Sequence, residues 1–132
     1  LTNALFDIRE ALGGGFEYYS ARVVRALLKE RGIECDIRVN ITLPIENYKE
    51  IDIFCPDPLV VGEVTITLRS IEEAKNQIEK LKSSVSVAEK FTNKQVYFKF
   101  LAVEITTDEV AKYLLDKCKE EGIYLIIGRE IK

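Results

Sequence analysis

Between Ile33 and Ile41 the chain alternates without a break. Ile33, Cys35, Ile37, Val39 and Ile41 fall on one side, and Glu34, Asp36, Arg38 and Asn40 on the other. That is the period of a strand with one wet face. After a turn at Pro44 and Asn47, a second strand is predicted from Lys49 to Cys55, ended by Pro56-Asp57-Pro58. The third runs from Leu59 to Thr67 and is apolar up to Gly62, as strands in a sheet centre are.

Helical spacing frames these strands. Phe16, Tyr19, Val23, Ala26 and Leu27 share a face of a helix predicted from Phe16 to Arg31, with Gly32 as its stop. Ser70, with Glu73 three residues on, predicts a capping box opening a helix from Ile71 to Lys90. Its apolar stripe is Ile71, Ala74, Ile78, Leu81, Val85 and Ala88. A strand from Val96 to Val103, a helix from Thr107 to Glu121 and a strand from Ile123 to Ile127 complete the order. Short links between the first three strands predict a meander, and helices between the later ones predict parallel crossovers. The class is α/β, with a mixed central sheet flanked by helices.

Leu1, Leu5, Ile8 and Leu12 repeat at four, three and four, ahead of Gly13-Gly14-Gly15. Residues 1–12 therefore read as a helix, either the end of a coiled coil or an amphipathic helix packed on its own domain. The first alternative implies a homodimer through this helix. The main domain spans 16–132. The chain starts at Leu1 and contains no methionine, which predicts a segment of a longer protein.

Composition narrows the chemistry. Hydrophobic residues make up 47%, enough for a core, and no apolar run reaches the ~20 residues that cross a bilayer. No secretory signal is visible, so a cytoplasmic protein is expected. A net charge of −3 gives no global attraction to nucleic acid, though a local basic face stays open. Histidine is absent, which excludes histidine triads and leaves three unevenly spaced cysteines without zinc-site partners. Cys35, Cys55 and Cys118 read as buried thiols in a reducing cytosol. No glycine loop followed by lysine marks a phosphate cradle.

One pair of acids stands out. Strand alternation places Glu50 and Asp52 opposite Ile51 and Ile53, and Glu63 with Thr65 on one face of the next strand. Asp52 and Glu63 thus sit inside apolar runs on adjacent strands. A buried carboxylate costs several kcal/mol unless compensated, and a hard divalent cation compensates it. Two of the acids also have a structural explanation, while Glu63 inside Val-Gly-Glu-Val is harder to account for that way. Glu17 suits a helix N-terminus, and Asp52 could pair with a cation across the strands.

With these residues in place, the chain resembles the PD-(D/E)XK nuclease superfamily over roughly 16–103, and looks most like an archaeal branch that carries this core behind a coiled coil. The resemblance implies a restriction-endonuclease-like αβββαβ core with an extra C-terminal helix and strand. It implies DNA as the substrate and Mg²⁺ or Mn²⁺ as the cofactor, held by Asp52, Glu63 and the Val64 carbonyl. Glu17 on the first helix and Gln77 on the helix after the third strand match further positions of the pattern. Thr65 stands where the family has its lysine. Arg69, Lys75 and Lys49 are the cations that could replace it, unless they are surface charges. The alternative is a catalytically degenerate nuclease fold that binds DNA or a protein.

Overall fold

The computed structural model describes residues 15–131, so the N-terminal helix read over 1–12, and any dimer made through it, lie outside the described residues. Helix α1 (Gly15–Glu30) carries Glu17 in its first turn and Lys29 in its last, each favourable to the helix dipole. It buries Phe16, Ser20, Ala21, Val24 and Leu28, and the chain leaves it through Gly32 at φ +76°.

The first strand differs from its pattern. Cys35 and Ile37 are buried while Glu34 and Asp36 are exposed, as the alternation requires, yet β1 begins only at Arg38 (Arg38–Leu43). Alternation reports which side chains are buried, and residues 33–37 satisfy it without a ladder partner. The cysteine expectation is also corrected. Cys35 and Cys55 form a disulfide, and only Cys118 is a buried free thiol. The fold brings the Cα atoms of the pair to 6.3 Å, within ordinary disulfide reach, which their spacing in the sequence did not suggest.

Strands β2 (Lys49–Pro56) and β3 (Leu59–Leu68) follow, joined by a turn with a cis Asp57–Pro58 bond. Helix α2 (Ile71–Thr92) opens on the expected capping box, in which Ser70 Oγ accepts the Glu73 N–H and the Glu73 carboxylate accepts the Ser70 N–H. Strand β4 (Phe98–Thr107), helix α3 (Asp108–Glu121) and strand β5 (Tyr124–Ile131) complete the domain. Thr107 caps α3 at its start, and Gly122 does so at its end.

The sheet has the order β1-β2-β3-β4-β5, antiparallel through β3 and parallel from β3 to β5. Helices α2 and α3 cover one face over Ile51, Phe54, Val61, Leu81, Leu101 and Leu114. Helix α1 covers the other over Ile53, Val60, Phe100 and Ala102. The fold is thus a mixed α/β sandwich of helix, sheet and helix.

One expectation about faces fails in a useful place. Ile51 and Ile53 were to share a side, but they enter opposite cores. The β1–β2 ladder pairs Val39 with Ile53 and Ile41 with Ile51. Asn40, which falls between and opposite Asp52, has a left-handed backbone at φ +55°. The pleat is interrupted at Asp52.

Candidate active site

The β2–β3 ladder runs from Pro56↔Leu59 to Ile53↔Gly62 and stops there. Its next rung would pair Asp52 with Glu63. Side chains take over the backbone partners at that point. The Val64 N–H donates to Asp52 Oδ2 at 2.8 Å, and the Asp52 N–H donates to Glu63 Oε2 at 3.4 Å. Two carboxylates therefore occupy the fork where the strands part. Gly62 holds the near side of that fork, because the Phe100 ring packs where a Cβ would stand.

Glu63 is fully buried. Ser84 Oγ, also buried, donates to Glu63 Oε2 at 3.2 Å, and Lys80 Nζ stands 3.4 Å from Oε1. Burial, followed by the Asp52 charge, pushes the Glu63 carboxyl up to about 7, although Lys80 and the Asp52 N–H pull the other way. Glu17 is raised for the same two reasons, burial first and Asp52 second, while the Asn40 side chain and Lys80 oppose it. The first turn of α1, the middle of β1, β2 and β3, and the α2 helix thus converge on one acidic locus that Lys80 faces.

Every sequence-predicted site residue can be placed. Asp52 and Glu63 meet directly, and Val64 joins them through its N–H. Glu17 lies within electrostatic reach of Asp52. Thr65 is half-buried two residues beyond Glu63 on β3. Gln77 lies three residues before Lys80 and seven before Ser84, so the three share one helix face. Its Nε2 is buried and has no hydrogen-bond partner among the described residues. Of the expected replacements for the family lysine, none is paired with Glu63, where Lys80 stands instead. Lys75 lines a groove with Tyr113 and Lys117, Lys49 pairs with Leu43 near the far end of the β1–β2 hairpin, and the Arg69 N–H belongs to the α2 cap.

Lys80, Ser84 and Asn40 were missed. The first two fall in helical register with Gln77, a signal the sequence does contain. Asn40 held only a wet position in an alternating run. A cleft of about 190 Å³, lined by Asn40, Ile41, Thr42, Glu50, Ile51 and Asp52, opens beside the fork.

Among the described residues no group of three or more acids, cysteines or histidines is close enough to hold a metal ion, and the acidic locus is built from pairs. Glu17 Oε2 and Glu63 Oε1 are buried carboxylate oxygens without hydrogen bonds among the described residues, and the acids raise one another's proton affinity. Oxygen ligands that repel each other are what a divalent ion relieves.

A family model described as "Domain of unknown function (DUF8196)" matches residues 19–131. Among solved structures the fold is similar to the "Crystal Structure of Protein of Unknown Function AF1548", at a TM-score of 0.50 and 18% identity. The match covers 84% of this chain and 58% of that one, so the chain spans a little over half of that protein's length. No curated protein matches.

Proposed function

The chain belongs to the DUF8196 family, and we propose that this member is a metal-dependent nuclease of the PD-(D/E)XK type, hydrolysing phosphodiester bonds of DNA on a restriction-endonuclease-like core. The observation that carries the reading is the fork. Asp52 and Glu63 replace the missing rung of the β2–β3 ladder, and Lys80 Nζ faces Glu63 at 3.4 Å.

Asp52, Glu63 and the Val64 carbonyl would hold Mg²⁺ or Mn²⁺. Such an ion supplies Lewis-acid polarisation of a phosphoryl oxygen and a lower pKa for bound water. Lys80 takes the role that Thr65 cannot. Its side chain is half-exposed, so its ammonium can face Glu63 and still donate to a phosphate oxygen. Ser84 fixes the Glu63 carboxylate, and Glu17 and Gln77 flank the site.

A specific observation favours a second reading, a fold that binds without cutting. Glu63 already has Ser84 and Lys80, and Asp52 already has the Val64 N–H. The acids could serve only to complete the strand pairing.

Melting temperature and plasmid cleavage with and without Mg²⁺ or Mn²⁺ separate the two. The nuclease reading expects metal to raise the melting temperature by mass action and to switch on cleavage. Asp52→Asn and Glu63→Gln should each abolish both responses. A protein that responds to neither ion is the silent fold.

A further inference from the structure

We propose a second site, a binding cleft for an unpaired nucleic-acid strand where β4 and β5 begin. The cleft measures about 500 Å³, and Arg31, Tyr97, Phe98, Lys99 and Tyr124 are among its lining residues. None of the carboxylate-site residues lines it. The proposal does not rest on the nuclease reading.

Two kinds of surface meet there. Tyr97 and Tyr124 are 50% and 41% exposed, although an aromatic ring gains most from burial. Tyr124 leans on Phe98 at 5.6 Å between ring centroids, and the Arg31 guanidinium lies 5.8 Å above the Phe98 ring. The platform is therefore braced from beneath while its tyrosine rings stay open. Among the described residues, Arg31 and Lys99 are in no ion pair. The one acid among its lining residues, Glu121, is held by Lys82, with Lys117 and Lys99 also within electrostatic reach of it. The cleft is thus positive as well as aromatic.

Helix α1 extends that charge. Arg22, Arg25 and Lys29 are all exposed and fall on a single stripe of this helix, and Arg31 follows just past its C-terminal end. From Arg22 to Lys29 the axis rises about 10 Å. Exposed rings beside a line of cations suit a strand whose bases are free to stack. A duplex keeps its bases stacked inside and offers only its backbone. The net charge of −3 makes this local concentration of cations the more distinct.

The test titrates the protein in EDTA, which stops any cleavage, into labelled oligo-dT, oligo-rU and a duplex, each of about 12 nucleotides per strand. Both single strands should bind about tenfold more tightly than the duplex, with affinity falling as salt rises. The chain has six tyrosines and no tryptophan, so binding should also quench tyrosine emission. Tyr97→Leu and Tyr124→Leu should each weaken binding about tenfold, while the phenylalanine variants keep the ring and the affinity. Arg31→Gln and Lys99→Gln should each reduce the salt slope by about 0.7. Lys75→Gln, in another groove, should change nothing. No binding at low salt, equal binding of the duplex, or cleft variants that bind like the wild type would overturn the proposal. Leucine variants that fail to melt cooperatively leave the decision to Arg31→Gln.

Discussion

Lys80 Nζ stands 3.4 Å from Glu63 Oε1, so the cation facing the buried acid comes from helix α2, seventeen residues along the chain from the acid. Its stem rises from the same helix face as Ser84, which holds the other oxygen of that carboxylate at 3.2 Å. Under the proposed nuclease reading, Lys80 supplies the positive charge that Thr65, two residues beyond Glu63, lacks.

Lys80→Gln should therefore lower cleavage by about 100-fold, the usual loss when one preorganised donor to a developing charge is removed. The melting temperature should change little, because the ammonium is half-exposed. Thr65→Lys added to Lys80→Gln should recover part of the activity. Initial rates on plasmid DNA check both.

Stability without metal should fall as pH rises. Burial and the Asp52 charge raise the Glu63 carboxyl to about 7 in the fold, against about 4.5 once unfolding returns it to water. The folded state holds a proton that the unfolded chain has released. The contribution is thus fully present below about pH 4.5 and is lost as pH passes 7, on the order of 3 kcal/mol at most. Glu17, raised for the same reasons, adds in the same direction. Urea unfolding in EDTA at pH 5 and pH 8 measures the slope, and Glu63→Gln should flatten most of it.

Ser84→Ala should cost about 1–2 kcal/mol, since it leaves Glu63 Oε2 with only the long bond from the Asp52 N–H. With that donor gone, the carboxyl should hold its proton to still higher pH. The midpoint of metal-induced stabilisation against pH should therefore move up.

Gly62→Ala should destabilise by about 1–3 kcal/mol, because a Cβ there overlaps the Phe100 ring. Gly62 is the last paired residue of β3 before the fork, so the metal response should weaken with it. Gly62→Ala combined with Phe100→Leu should regain part of the loss, as thermal melts would show.

Periodicity carried most of the fold. The α2 capping box, the break at Pro56-Asp57-Pro58 and the apolar β3 all stand where their residues predict, because each is a local effect. Asp52 and Glu63 were legible for a related reason, as acids inside apolar strands. What the sequence could not show depends on contacts between distant segments. The Cys35–Cys55 bond needs the tertiary approach of residues 33–37 to β2. The switch of faces between Ile51 and Ile53 falls opposite the left-handed Asn40 on the neighbouring strand, a tertiary relationship no local pattern carries. Lys80 looked like any exposed helix lysine until the sheet placed Glu63 beneath it.

The exchange of bonds at the fork gives the protein a built-in reporter. The amide protons of Asp52 and Val64 are donated to carboxylate oxygens. Anything that claims those oxygens releases the amides. Their exchange with deuterated solvent should therefore quicken when a cation occupies the fork, while that of Ile53 and Phe54, on the intact ladder, should not. Strand pairing and ligand occupancy would then compete for Asp52 Oδ2 and Glu63 Oε2, and the interior of the β-sheet itself, between β2 and β3, would register what the acids hold.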